Sequence, residues 1–430
     1  NLIISFYFAG VKPKLSHSLN LSYFISKRIS QGKQSGFSST IHTIAIVSIG
    51  IGLGAAIVSF LIMNGFQETV KNRIYSFNGQ LLITKFSTDN SVEEVPFDIN
   101  FDVFTKSKDL PYVDHMQEFA HKAGLVKTND EILGVVLKGV GKSFDTAAFK
   151  TNMVDGRFIH FPDSGYSNEV VLSRVIASKL KVKTGDQVTL HFFQNPPRFR
   201  RLKVTGIYET NLSEYFDGKI VIGDIRLIQR LNDWADSIAG GIEIYLKPGA
   251  NADDAQLQLE TLLETDMKKN FDKDVESIAA KYSQVFEWLN LLDRQVAILL
   301  VIILFVISVN MISIILILVM ERTQMIGMLK ALGASGGLIR SIFVYNGINL
   351  LIKGLLLGNL LGIGFCYLQD TFKIIKLNPE DYYMSFVPIS WHWDVVLMLN
   401  LLTFVMVTLV LLLPTAIVFR ITPIKAIRFD

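Results

Sequence analysis

Four stretches of the chain are apolar over lengths that exceed the needs of a soluble helix. Residues 41–63, 296–320 and 395–419 contain no Asp, Glu, Lys or Arg, and residues 341–368 carry a single charge, Lys353. About 20 apolar residues cross a hydrocarbon core of roughly 30 Å, so each stretch predicts a transmembrane helix, the last with Pro414 near its far end. Between the first and second spans the pattern changes. Leu81–Lys85, Ile132–Val140 and residues 187–193, 202–208 and 242–246 are rich in β-branched and aromatic side chains and mostly alternate, predicting strands. Residues 173–180, 224–231 and 253–263 have helical spacing, and Lys183-Thr184-Gly185-Asp186 marks a turn into a strand. An amphipathic stretch, residues 274–294, is expected to continue as one helical rod into the second span. No internal repeat or low-complexity tract is evident.

The fold class this predicts is an α-helical membrane protein with four transmembrane helices and a large α+β extracytoplasmic domain inserted between the first and second. Its order is a cytoplasmic segment (1–40), span (41–63), extracytoplasmic domain with helical stalk (64–295), span (296–320), cytoplasmic loop (321–340), span (341–368), extracytoplasmic loop (369–394), span (395–419) and cytoplasmic tail (420–430). Charge sets the orientation, because cytoplasmic loops carry an excess of Lys and Arg. Lys12, Lys14, Lys27, Arg28 and Lys33 precede the first span without an acid among them; Arg322, Lys330 and Arg340 lie in the short loop, and Arg420, Lys425 and Arg428 in the tail. The loop on the other side holds Phe372, Tyr382, Tyr383, Phe386, Trp391 and Trp393, which suit an interfacial aromatic belt. Leu2 to Val11 is apolar but lacks a preceding basic region, so it reads as a tail or interfacial helix, with 41–63 as uncleaved signal anchor.

Composition narrows the function classes. Half of the residues are hydrophobic, 19% are charged and mean hydropathy is +0.36, which excludes an ordinary soluble enzyme. A net charge of +3 gives no support for nucleic-acid binding, and the single cysteine, Cys366, excludes disulfide frameworks and Cys-based zinc sites. Gly141-Lys142-Ser143 ends like a phosphate-binding loop, but the required first glycine is replaced by Val136, so the segment reads as a turn. The acids at Asp253–Asp254 and Asp272–Glu276 read as solvated helix faces. No catalytic, cofactor-binding or metal site is expected on this chain.

Other features concern helix packing and docking. Gly50 and Gly54, and Gly354, Gly358 and Gly362, have the four-residue spacing that lets helix backbones approach closely. Packing within the chain is favoured over a dimer seam. Lys353 lies well inside its span, where a charge costs about 2.5–3.5 kcal/mol on insertion scales, so it should snorkel, pair or face a cavity. Asn310, Asn346, Asn349 and Asn359 suit hydrogen bonds between helices. The cytoplasmic loop has apolar residues at Met325, Ile326, Met328, Leu329 and Leu332, with Gly333 as a helix stop. Such amphipathicity exceeds what a connector needs and favours docking of a partner.

These residues carry a family resemblance. The layout, Met63-Asn64-Gly65-Phe66-Gln67 after the first span, Glu321 to Tyr345 with Lys330-Ala331-Leu332-Gly333-Ala334-Ser335, Pro379-Glu380-Asp381-Tyr382-Tyr383, the tail from Ile421 to Arg428, and Val170-Val171-Leu172-Ser173 followed by Gly185-Asp186-Gln187-Val188 resemble FtsX-like (MacB-type) ABC transporter permeases, and among them the lipoprotein-releasing (Lol-type) subunits. The resemblance implies that Glu321, Arg322, Met325, Ile326, Met328, Leu329, Lys330, Leu332 and Gly333 couple to a cytoplasmic ABC ATPase, which would bind ATP and Mg while this chain binds no cofactor. It also implies a second permease copy or a sister permease, a lipoprotein substrate and a periplasmic carrier chaperone. Met63, Phe66, Phe286 and Leu289 would, from their positions, line a cavity for acyl chains. Pro197, Arg198 and Phe199 lie in a hairpin tip shorter than the family's hook, which reads either as a compact chaperone contact or as an ordinary surface turn, the contact then falling to a hooked partner subunit. Two other functions fit the superfamily: a mechanotransmitting efflux permease, and an FtsX-like regulator of a cell-wall hydrolase.

Overall fold

The computed structural model describes residues 36–87, 91–100, 110–128, 131–212, 216–265, 272–378, 382 and 384–415. The basic residues expected before the first span, the tail 420–430, the last residues of the 395–419 span, and Pro379, Glu380, Asp381 and Tyr383 lie outside them. The chain divides into two compact units. One comprises the residues up to Met63, from Asp293 to Phe372 and from Ile389 onward; the other comprises Asn64–Leu292 with Lys373–Pro388.

The first unit is helical. Among the described residues, four helices are long and apolar enough to cross a membrane: α1 (Gly36–Asn78), α5 (Ser283–Glu321), α7 (Gly336–Phe372) and α8 (Trp393–Thr415). The 43 residues of α1 and 39 of α5 exceed a membrane crossing, and both run on without a break into residues of the second unit. Several polar side chains inside the spans bond across helices, which satisfies groups that lipid cannot, although the buried Asn346 Oδ1, expected to do the same, finds no partner among the described residues. Asn310 Nδ2 donates to Ser48 Oγ at 2.6 Å, and the amides of Asn359 and Asn400 exchange bonds of 2.7 and 2.9 Å. Arg340 Nη2 donates to the Leu412 carbonyl at 3.2 Å, near the end of α8.

The second unit is built on one ten-stranded mixed sheet, ordered β12-β1-β11-β3-β4-β9-β6-β8-β5, with β7 paired to β3 and β8. Its strands are β1 (Leu81–Lys85), β3 (Val113–Lys127), β4 (Ile132–Val140), β5 (Met153–Gly156), β6 (Glu169–Ser173), β7 (Gln187–Phe192), β8 (Arg198–Tyr208), β9 (Ile220–Asp224), β11 (Gly241–Leu246) and β12 (Lys273–Ser277); β2 (Phe97–Asp98) and β10 (Ile238–Ala239) form a separate pair. Helices α2 (Arg174–Leu180), α3 (Ile225–Leu231) and α4 (Ala252–Thr265) contribute Ile176, Ile228 and Leu259 to the core under one sheet face. Ser173 and Asp224 cap α2 and α3, each accepting from a backbone N–H of the first turn.

The second core receives the end of α1. Val70, Ile74 and Phe77 pack among Phe149, Tyr208 and Phe216, with the Phe77 and Phe216 rings stacked at 4.6 Å. Gly79, at φ +70°, stops the helix; a Cβ there would lie 2.6 Å from the Ile244 carbonyl oxygen, so only glycine fits the turn into β1. The stalk departs from its expected form. Residues 273–277 form the edge strand β12 paired with β1, Ser277 caps a single turn at Ile278–Lys281, and the long helix begins only at Ser283. Val275 is the reason: it is buried while Asp274 is exposed and Glu276 half-buried, a two-residue period that serves a sheet edge better than a helix. The loop expected over 369–394 also divides, since Lys373–Pro388 belongs with the sheet unit and Met384 is buried in its core.

Candidate functional site: an amphipathic loop helix and a glycine seam

The amphipathic loop folds as α6 (Thr323–Ala331), between the ends of α5 and α7. Ile326 is fully buried and Gly327 buried, while Met325 and Leu329 are half-buried against the core formed by Leu318, Ile339 and Phe343. The opposite face is apolar yet open: Met328 is 57% exposed and Leu332 84%. Those residues are four apart, so they sit side by side on one flank of the helix. Glu321 and Gly333 are exposed, whereas Arg322 and Lys330 are half-buried. Gly333 takes φ +87° and its N–H bonds the Lys330 carbonyl at 3.0 Å, while Ala334 N–H bonds the Leu329 carbonyl at 2.9 Å, closing the C-terminus of α6.

Ser335 follows in Gly333-Ala334-Ser335-Gly336-Gly337, the spacing of a nucleophile elbow. An elbow needs a strand before the serine. Here Ser335 stands between two helices, and its hydroxyl accepts from Leu338 N–H at 3.3 Å as a cap of α7. Gly141-Lys142-Ser143 is likewise a turn at the end of β4, with Lys142 paired to Asp163 at 3.0 Å and Ser143 hydrogen-bonded to Glu118. Among the described residues no group of three or more His, Cys, Asp or Glu is arranged to hold a metal ion.

The glycines meet inside the membrane unit. A Cβ on Gly354 would lie 2.6 Å from Ile49 Cβ, one on Gly358 2.8 Å from Leu53 Cβ, and one on Gly362 3.1 Å from Gly54 Cα. Gly54 faces the Gly358 carbonyl oxygen at 3.3 Å, and Gly50 faces the Leu357 side chain. The α1 and α7 backbones therefore come close at Gly54, Gly358 and Gly362, while Ile49, Leu53 and Leu357 pack onto the space the other glycines leave. Lys353, on α7, is exposed, one position before the seam.

The residues named for an acyl-chain cavity divide. Met63 and Phe66 are half-buried on α1, but Leu289 is fully buried and Phe286 nearly so, both in the second core of the sheet unit. Gln67 reinforces that packing by donating to the Leu289 carbonyl at 3.0 Å. Trp288, 38% exposed and edge-on to Phe66 at 5.6 Å, shows more surface than either, and the sequence reading missed it. A tryptophan within the amphipathic stretch ahead of the second span was the available signal.

The hairpin tip joins β7 to β8. Pro197 and Phe199 are exposed, but Arg198 is held down: Nη1 donates to the Leu231 carbonyl at 2.9 Å and Nη2 to Asp233 Oδ2 at 2.9 Å. The exposed apolar surface of the tip is thus Phe193 and Phe199, 71% and 60% accessible.

Comparison with known proteins bears on this geometry. Residues 43–262 match the MacB-like periplasmic core domain, and residues 297–423 match the FtsX-like permease C-terminal region. The lipoprotein-releasing system transmembrane protein LolE of Haemophilus influenzae is 24% identical over 405 residues, covering 88% of this chain and 92% of that protein. LolC of Buchnera aphidicola subsp. Schizaphis graminum is 25% identical over 386 residues, covering 87% and 89%. The crystal structure of the periplasmic region of MacB from Actinobacillus actinomycetemcomitans aligns at 14% identity and TM-score 0.35, over 48% of this chain and 92% of that one.

Proposed function

The chain belongs to the FtsX-like, MacB-type family of ABC transporter permeases, a multi-pass protein of the inner membrane with its sheet domain in the periplasm, and from that premise we propose that it extracts lipoproteins from the inner membrane for delivery toward the outer membrane. The observation that carries this reading is similarity to lipoprotein-releasing permeases over nearly their whole length, with both the periplasmic and the permease regions matched.

In this reading α6 docks into a partner ATPase, and ATP with Mg is bound and hydrolysed there. The exposed pair Met328 and Leu332 fills an apolar groove on that subunit, while Ile326 and Leu329 tie the helix to the ends of α5 and α7. A movement imposed on α6 is passed to two spans at once. A second copy or a sister permease faces the first, and acyl chains enter between them beside Met63 and Phe66. An external energy source is needed, because each buried CH₂ of a lipid anchor holds about 0.8 kcal/mol. Phe193 and Phe199 at the hairpin tip offer a small apolar contact for a periplasmic carrier, with Pro197 beside them and Arg198 setting the tip's position.

The test is depletion of the protein in its host, followed by separation of the two membranes and mass spectrometry of lipoproteins. Release predicts outer-membrane lipoproteins accumulating in the inner membrane. An unchanged distribution, with no sister subunit able to substitute, would sink the reading in favour of efflux or hydrolase regulation.

A further inference from the structure

The outer flank of α7 and the start of α8 bound an open groove of about 750 Å³, within the membrane unit. Small-molecule sites run to roughly 300–1,000 Å³, so the space is large enough for part of an amphiphile. Its lower wall is apolar, with Leu356, Leu360 and Ile363 on successive turns. Gly364 opens the wall: a Cβ there would have no atom within 4 Å. The polar residue on the floor, Asn359, is satisfied by its reciprocal bonds with Asn400, so the floor makes no demand on an occupant.

The upper end differs. Asp370 is exposed, and its Oδ2 accepts from Trp391 Nε1 at 2.9 Å. Trp391 and Trp393 stack beside it, ring centroids 5.6 Å apart. No cation pairs with Asp370 among the described residues; Lys373, the nearest in sequence, sets its ammonium over the Phe386 ring, 4.2 Å from the centroid. A carboxylate at a lipid boundary is costly unless a cation meets it, and the tryptophans mark this level as the membrane interface.

We propose that this groove holds one phospholipid bearing a primary ammonium headgroup, taken from the periplasmic leaflet. The acyl chain lies along Leu356, Leu360 and the gap at Gly364. The ammonium, with three N–H donors, meets Asp370 and lies against the tryptophan faces. A quaternary ammonium of the same charge has no hydrogen to donate, and an anionic headgroup is repelled. The proposal does not depend on the cargo being a lipoprotein.

Native mass spectrometry of the purified full chain tests it, with phosphatidylethanolamine, phosphatidylcholine and phosphatidylglycerol of identical acyl chains titrated separately. Phosphatidylethanolamine should be retained at least tenfold more tightly than the other two. Asp370→Asn keeps an acceptor for Trp391 and removes only the charge, so it should abolish the preference. Gly364→Leu fills the gap and should weaken all three lipids; if it fails to fold, Leu360→Trp, at an exposed position one turn away on the same wall, does the same. Equal retention of the three lipids, a preference that survives Asp370→Asn, or no retained lipid would overturn the proposal. So would displacement of the bound phospholipid by an equimolar triacylated peptide, which would make the groove a cargo site.

Discussion

Lys138 Nζ lies 2.6 Å from Glu243 Oε1, with both side chains 1% exposed, in the sheet beneath the last turn of α1. Glu243 Oε2 also accepts from Gln117 Nε2 at 2.7 Å, and Lys138 Nζ donates to the Phe77 carbonyl oxygen. The same ammonium sits 4.5 Å from the Phe77 ring centroid. A cation at a helix C-terminus meets carbonyls that have no partner within the helix. One buried ion pair thus joins β4, β11 and the end of the first membrane helix.

Removing one partner of a buried pair strands the other, at about 3–5 kcal/mol. Lys138→Met should therefore lower the denaturation midpoint of the purified protein sharply, and Glu243→Leu similarly. The double variant Lys138→Met with Glu243→Leu should recover much of the loss, since neither charge is left buried alone. Strictly additive losses in chemical denaturation would show that the pair is not coupled in this way.

The glycine seam makes a steric prediction. A side chain at Gly358 would have to displace Leu53 or the Gly50 backbone, at 2.8 and 3.0 Å from its first carbon, whereas one at Gly364 meets nothing. Overpacking of this kind costs about 1–3 kcal/mol. Gly358→Val should lower the melting temperature in detergent, while Gly364→Ala should leave it unchanged within about 0.5 kcal/mol. Equal tolerance at the two positions would place the α1–α7 contact elsewhere.

The spans were legible because lipid imposes a length and a composition that neither loops nor soluble helices share. Strands β1 and β4 were legible in full because Leu81–Lys85 and Ile132–Val140 are dominated by aliphatic residues. The longest strand, Val113–Lys127, was not, because its buried positions include Gln117 and Lys122. Those residues look solvent-facing in sequence, yet Gln117 bonds Glu243 and Lys122 pairs with Glu93 at 2.9 Å. The partners lie 126 and 29 residues away, so no local pattern could reveal them. Helix α6 was legible to within a residue or two because amphipathicity is local. The burial of Phe286 and Leu289 was not, because it depends on α1 and on Met384 from a distant loop.

A second, half-buried pair predicts a pH dependence. Glu94 Oε1 lies 2.6 Å from His121 Nδ1, and Glu94 Oε2 accepts from the His121 backbone N–H at 3.1 Å. Burial alone would raise the carboxyl's pKa, but the His121 charge and these hydrogen bonds outweigh it and hold Glu94 below the usual carboxylate range. A carboxylate lowered on folding adds stability that is present above its unfolded pKa, about 4.3, and is lost as pH falls through the folded value. Glu94→Gln should therefore be less stable than the parent at pH 6 by about 1.5–3 kcal/mol, with the gap narrowing as pH falls below about 4. Thermal melts of both proteins across that range provide the check; a gap that widens in acid would reverse the sign of the argument.

The two faces of α6 should respond differently to charge. Met328 and Leu332 are exposed in the permease chain, so Met328→Glu or Leu332→Asp should change its own stability by less than about 0.5 kcal/mol. Apolar anchors at the centre of an interface are worth about 2 kcal/mol or more when removed, so either variant should weaken binding of the partner ATPase at least tenfold. Ile326 is fully buried against α5 and α7, and Ile326→Asp should instead lower the melting temperature of the permease itself. Co-purification with the ATPase, read beside melting in detergent, separates the two effects. Retention of the ATPase at parental affinity by both Met328→Glu and Leu332→Asp would remove α6 from the coupling interface and leave it a connector between two spans.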